Sequence, residues 1–266
     1  MTEMTTYAPG TPCWVDLSSP DIDATVGFYS ELLGWEVPKS ENAEQTGGYR
    51  IANQRDKSTA GLMPQMETGQ PPAWMTYVSV EDADATTEAV REAGGNVIAE
   101  PMDVMDLGRM AVFSDPTGAV FGIWQPGSFT GAELVNEPGT YSWNELNTRD
   151  PDAAKSFYSD VFGWASSDMD MGESGSYTVF RLADAPEDGS GIGGLLDMRG
   201  RVPEEVPAHW LTYFTVDDRD AAVEKAKGSG AEQMVELDLP MGRLAILRDP
   251  QGAAFGIFED TSGNDS

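Results

Sequence analysis

Apolar and polar positions along the chain spell out one set of elements and then spell it again. Residues 13–17 alternate as a short strand. Ile22, Val26, Tyr29 and Leu33 then recur at helical spacing, with Ser19 or Asp21 placed to cap the start and Gly34 to end it. In the second half Asp150-Pro151 offers a cap and a proline at the first helical position. Ala154, Phe157, Tyr158 and Val161 form the apolar face, and Gly163 closes it. The stretches GGYRIANQRDKSTAGLMP and SYTVFRLADAPEDGSGIGGLL each predict two short strands around a polar turn. Further strands are predicted over 74–80 and 210–216, and helices over 83–93 and 220–228. Asp115-Pro116-Thr117-Gly118 and Asp249-Pro250-Gln251-Gly252 suit type I turns in closing hairpins.

The two sets are copies. WVDLSSPDIDATVGFYSELLGW from Trp14 returns as WNELNTRDPDAAKSFYSDVFGW from Trp143 without a gap. WMTYVSVEDADA answers WLTYFTVDDRDA, and GRMAVFSDPTGAVFGIW answers GRLAILRDPQGAAFGIF. A helix after the first and after the fourth strand makes each copy two βαβββ units, an α+β architecture. The expected organisation is a module over 1–125, a linker over 126–139, a second module over 140–259 and a disordered tail over 260–266. Duplication also directs attention to the junction of the copies as the place for a site.

Composition narrows the partners. Sixteen Lys and Arg stand against 45 Asp and Glu, a net charge of −29. Such a chain repels phosphate backbones and anionic lipid, so nucleic acid and membrane are excluded as expected partners. The acids are dispersed and read as a solubility device. Cys13 is the single cysteine, so no intramolecular disulfide forms, in keeping with a reducing compartment. The N-terminus lacks a signal-peptide pattern, and no apolar run approaches the about 18 residues of a membrane span. The expectation is a cytoplasmic protein, either a monomer with its modules paired or a homodimer.

Strand, FY pair on a helix, (L/F)GW, and a closing DPxGxxFGI or DPxGAxFGI together resemble the vicinal oxygen chelate superfamily, the glyoxalase, bleomycin-resistance and extradiol dioxygenase fold. Within it, the chain resembles the tandem-module actinobacterial branch that includes the mycobacterial Cfp30B antigen. The resemblance runs from about Gly10 to Phe258 and implies that each pair of units curls into an eight-stranded cup for a small ligand. Metal-bearing members of that superfamily hold a divalent cation with His and Glu on the first, fifth and last strands. Here those positions fall on Trp14, Met75 and Gly122, and on Trp143, Leu211 and Gly256. None is a hard or borderline metal ligand, and His209 is the only histidine, so the expected cofactor is none. A carboxylate-only metal site using Asp16 or Glu145 stays open.

Strand alternation then assigns the lining. Trp14, Asp16, Met75, Tyr77, Gly122 and Trp124 face one cup. Trp143, Glu145, Leu211, Tyr213, Gly256 and Phe258 face the other, and the small Gly122 and Gly256 leave room for a ligand. Phe121, Ile123, Phe255 and Ile257 pack beneath the helices, and Cys13 faces away as an inert thiol. Asp16 and Glu145 are candidate bases, with Tyr77 and Tyr213 as hydrogen-bond donors and His209 as a further candidate at a strand mouth. Equally, each carboxylate is a structural ion pair, with Arg109 and Arg243 as the expected cations. Three functions follow. The first is metal-independent binding of an aromatic or apolar metabolite or antibiotic. The second is a metal-independent isomerase, cyclase or hydrolytic enzyme of secondary metabolism with Asp16 or Glu145 as base. The third is a glyoxalase-like metal-dependent lyase. The first needs only a pocket.

Overall fold

A computed structural model describes residues 3–40, 42–65, 69–171, 175–185, 191–239 and 241–262. Each copy builds its own sheet. The first contains β1 (Pro12–Ser19), β2 (Arg50–Gln54), β3 (Lys57–Pro64), β4 (Ala73–Ser79), β5 (Asn96–Val104), β6 (Gly108–Ser114) and β7 (Val120–Pro126) in the order β2-β3-β1-β4-β7-β6-β5. The second contains β8 (Tyr141–Thr148), β9 (Trp164–Asp170), β10 (Ser176–Leu182), β11 (Gly193–Asp197), β12 (His209–Thr215), β13 (Glu232–Leu239), β14 (Gly242–Arg248) and β15 (Ala254–Asp260), ordered β13-β14-β15-β12-β8-β11-β10-β9. Both are open, mixed sheets. Among the described residues the first lacks the expected eighth strand. Where the second copy runs β9 beside β10, the first makes a single bridge from Glu36 to Asn53 and a short helix α2 (Ala43–Thr46).

The capping residues read from sequence do their work. Asp21 accepts from Ala24 N at the start of α1 (Ile22–Leu33), which ends on Gly34 in the left-handed conformation. Asp150 and Gly163 frame α4 (Pro151–Phe162) in the same way. Helices α3 (Ala83–Glu92) and α5 (Arg219–Gly228) start on Asp82 and Asp218.

The copies are joined back to back. Outward-facing residues of β4, β8 and β12 meet between the sheets, with Trp74 edge-on to Phe214 at 4.9 Å and Thr76 donating to Asn144 Oδ1 at 2.8 Å. The helices are exchanged across this junction. Phe28 of α1 packs on Phe255, and Phe157 of α4 packs on Phe121. Phe121 and Phe255 thus lie beneath helices as expected, each packed by a helix of its own copy and by one of the opposite copy. The junction is therefore core rather than site. A surface groove of about 640 Å³ runs along it between α1 and α5, lined by Gly27, Phe28, Glu31, Lys225 and Gln251 among others, and none of the candidate side chains borders it. Cys13 is fully buried, and its thiol donates to Tyr77 O at 3.5 Å. Burial pushes that thiol far above its ordinary range. No helix among the described residues is long and apolar enough to cross a membrane. Of the tail expected to be disordered, 263–266 lie outside the described residues.

Candidate functional site

On the faces turned away from the junction, each sheet gathers the same four side chains. In the first, Trp14 Nε1 donates to Tyr49 OH at 2.7 Å, and Tyr49 OH donates to Asp16 Oδ2 at 3.1 Å. Tyr77, on the neighbouring strand β4, is a second hydrogen-bond partner of Asp16. In the second, Trp143 Nε1 donates to Tyr177 OH at 2.8 Å, and Tyr177 is a partner of Glu145. Tyr213 OH donates to Glu145 Oε1 at 3.2 Å, as does Asn147 Nδ2 at 3.2 Å. Strand register explains the convergence. Trp14 lies opposite Tyr77, and Asp16 lies between Met75 and Gly61. Glu145 lies between Leu211 and Gly194. Gly61 and Gly194 are required there, because a Cβ on either would overlap the hydroxyl of Tyr49 or Tyr177.

Both carboxylates are buried, Asp16 with 4 % and Glu145 with 7 % of its surface exposed. Burial pushes Asp16 up to about 7, against the pull of the Tyr49 and Tyr77 hydroxyls. Burial also raises Glu145, opposed by Tyr177, Asn147, Tyr213 and the charge of Arg201. The four tyrosines are driven well above their ordinary value by burial and by the adjacent acid, so they stay protonated donors.

Two expectations are corrected. Gly122 and Gly256 do not leave room for a ligand; the rings of Tyr77 and Tyr213 lie directly over them, and a Cβ at either would overlap the ring. Arg109 and Arg243 do not pair with the buried acids. They project to the helix side of their sheets, Arg109 to Asp84 and Asp103, and Arg243 to Asp220, Asp238 and Glu259. Asp16 and Glu145 lie in separate sheets, as strand alternation within two copies expects. His209 takes its place on the inward face of β12, opposite Asn147, with Nδ1 2.9 Å from Pro207 O.

Sequence reading missed Tyr49, Tyr177 and Phe129. The two tyrosines stand at the ends of strands, beyond the reach of period-2 reasoning, yet Tyr49 follows Gly47-Gly48 and Tyr177 follows Gly175-Ser176, a matching position that was a usable signal. Phe129 belongs to the linker and carries no pattern. It sits edge-on to Trp14 at 4.9 Å, and its carbonyl accepts from Trp124 Nε1 at 2.8 Å, closing that end of the first cup.

The positions at which the superfamily places metal ligands hold indole, thioether, isobutyl or no side chain. Among the described residues no three His, Cys, Asp or Glu side chains come together. This donor set does not fit a divalent cation.

Paired units of βαβββ type, the first of them one strand short, curl into two half-open sheets around matching polar clusters and define a tandem-module protein of the glyoxalase-like fold. The chain belongs to the glyoxalase/bleomycin resistance protein/dioxygenase superfamily, whose description matches residues 13–123, while a glyoxalase-like domain matches residues 144–258. It is 40 % identical over 266 residues to CFP32 of Mycobacterium tuberculosis (strain CDC 1551 / Oshkosh), provisionally named a glyoxylase; the match covers 97 % of this chain and 98 % of that protein. It is 38 % identical over 275 residues to the anthracycline biosynthesis protein DnrV of Streptomyces peucetius, covering 98 % and 97 %. Among solved structures, the Mn(II)-bound glyoxalase from Novosphingobium aromaticivorans shares the fold with a TM-score of 0.65 at 17 % identity, over 94 % of this chain and 82 % of that one.

Proposed function

We propose that the protein binds a flat aromatic or apolar small molecule, a metabolite or antibiotic, in its cups and does so without a metal. The observation that carries this reading is the repeated cluster of one tryptophan, two tyrosines and one buried carboxyl, built around a tryptophan that stands at a position where metal-bearing relatives of this fold would place a ligand. The other half of each cup is apolar and uncovered. Met102 stands opposite Met110, which stands opposite Trp124; Leu237 stands opposite Leu244, which stands opposite Phe258. Met102, Val120, Val235 and Leu237 are all exposed. A concave wall of large apolar side chains with a polar handle at one end suits a flat ring system. The relative named for anthracycline biosynthesis supports the same ligand class, since an anthracycline is a fused-ring aromatic.

Titration of tryptophan emission with a panel of fused-ring aromatics tests the reading, alongside metal content by plasma mass spectrometry after loading with Zn²⁺, Ni²⁺, Mn²⁺ and Fe²⁺. Saturable quenching, weakened in Trp14→Phe or Trp143→Phe, with no stoichiometric metal, is the expected result. Stoichiometric metal lost on Asp16→Asn or Glu145→Gln, with no aromatic bound, would overturn it.

A second reading, acid–base catalysis on such a ligand, is favoured by one observation. Asp16 is pushed up to about 7 and faces two tyrosine donors, an arrangement that can take a proton and stabilise an oxyanion. An enzyme loses turnover by orders of magnitude in Asp16→Asn or Glu145→Gln while still binding; a binding protein shows only a modest loss of affinity.

A further inference from the structure

The two cups share their cluster but differ at the rim. Beyond the cluster, β12 continues on the same inward face from Tyr213 through Leu211 to His209, which lies opposite Asn147. In the first copy the equivalent pair is Ala73 opposite Ser18, which carries neither ring nor charge. The loop that follows β11 bends over this end of the second cup. Arg149 pins it there, its guanidinium donating to Val206 O at 2.7 Å, Pro203 O at 2.6 Å and Val202 O at 3.4 Å. The pinned loop carries Arg201. Its guanidinium reaches back against Gly175, where any side chain would collide with it, and its charge is felt at Glu145.

His209 is oriented as well. Its Nδ1 lies 2.9 Å from Pro207 O, a carbonyl that can only accept, so Nδ1 carries the proton. Burial, together with the nearby Arg149 charge, holds the ring below its ordinary value despite the Pro207 bond, so the neutral ring keeps Nε2 as an acceptor. One end of the second cup thus brings a fixed acceptor and a cation to the polar edge of an aromatic space.

We propose that the second cup selects an aromatic ligand bearing an acidic hydroxyl, a phenol or an enol, which donates to His209 Nε2 while Arg201 offsets the charge on its oxygen. The inference rests on the ligand-binding reading and adds the functional group recognised and the cup that recognises it. Ether or unsubstituted analogues lack the donor proton and the acidic oxygen, so they bind in the apolar space alone.

The test uses 7-hydroxycoumarin, whose phenol and phenolate absorb at different wavelengths, and 7-methoxycoumarin. Both are titrated into the whole protein by calorimetry, with absorption followed at constant pH. The hydroxyl compound is expected to bind about tenfold more tightly, the worth of one charge-assisted hydrogen bond. Its phenol band should shift to longer wavelength on binding, the proton staying on the ligand oxygen and shared with His209 Nε2. Arg201→Gln and His209→Ala should each remove most of the preference, and His209→Ala should also remove the band shift. Both are surface-proximal changes that leave the core intact, and unchanged 7-methoxycoumarin binding confirms folding. Equal affinity for the two probes in the wild type, or a preference that survives both substitutions, overturns the inference and leaves aromatic binding standing. Failure of both probes to bind overturns the inference together with the reading beneath it.

Discussion

Tyr29 in the first copy donates to Asp249 Oδ2 in the second at 3.1 Å, and Tyr158 in the second donates to Asp115 Oδ2 in the first at the same distance. Each tyrosine also accepts from a junction tryptophan, Trp74 Nε1 at 3.1 Å or Trp210 Nε1 at 2.9 Å. The two motifs that most mark the sequence, the FY pair and the DPxG turn, thus meet across the copies and hold the halves together.

Unfolding should therefore be a single transition. Tyr29→Phe should cost about 1 kcal/mol, the net worth of a buried hydrogen bond. Asp249→Ala should cost about 2–3 kcal/mol, because Asp249 Oδ1 also accepts from the amides of Gln251, Gly252 and Ala253. Urea denaturation followed by tryptophan emission and by far-ultraviolet dichroism checks both. Coincident curves are expected, and two resolved transitions would contradict the shared core.

Repetition made the architecture legible. Caps at Asp21 and Asp150, stops at Gly34 and Gly163, and the two-unit make-up of each copy follow from local rules that act within a dozen residues. Alternation also placed Trp14, Asp16, Tyr77 and their counterparts on one face. What it could not supply is what fills a face once the strands curl. Tyr77 covers Gly122, Tyr49 arrives from a strand end, and Phe129 swings in from the linker; each depends on contacts between segments far apart in sequence. Arg109 and Arg243 were expected at the buried acids, but they adjoin Met110 and Leu244, which face the cups, so alternation itself turns them to the helix side, where Asp84 and Asp220 hold them.

Gly122→Ala and Gly256→Ala test the filled cup. The added methyl must displace the Tyr77 or Tyr213 ring, costing about 1–3 kcal/mol. Ligand affinity should change in the same variant, since the displaced tyrosine also loses its carboxyl partner. A neutral effect on both melting and binding would show the glycines to be spacious, as strand alternation alone expects.

Asp16 gives stability a pH dependence. Its folded value of about 7 lies above the ordinary carboxyl range, so the folded state holds its proton longer than the unfolded chain does. The resulting penalty is absent below about pH 4 and grows as pH rises to about 7. Asp16→Asn should therefore gain stability relative to the wild type across that window, by up to about 4 kcal/mol. Denaturation of both proteins at mildly acidic and mildly alkaline pH reads this directly. A constant difference between them would contradict a buried, protonated Asp16.

Arg109→Ala and Arg243→Ala should leave ligand binding untouched. Their partners lie on the helix side and, Glu259 apart, are exposed acids, so each change should cost about 1 kcal/mol or less. Calorimetric affinity and a thermal melt on the same samples suffice. A selective loss of binding would place these cations in the cup after all.

Metal-free binding is tested most directly by titrating tryptophan emission with a fused-ring aromatic before and after exhaustive chelation. The expected result is one saturable curve, unchanged by the chelator and weakened by Trp143→Phe. Binding that vanishes on chelation and returns with a divalent cation would contradict it.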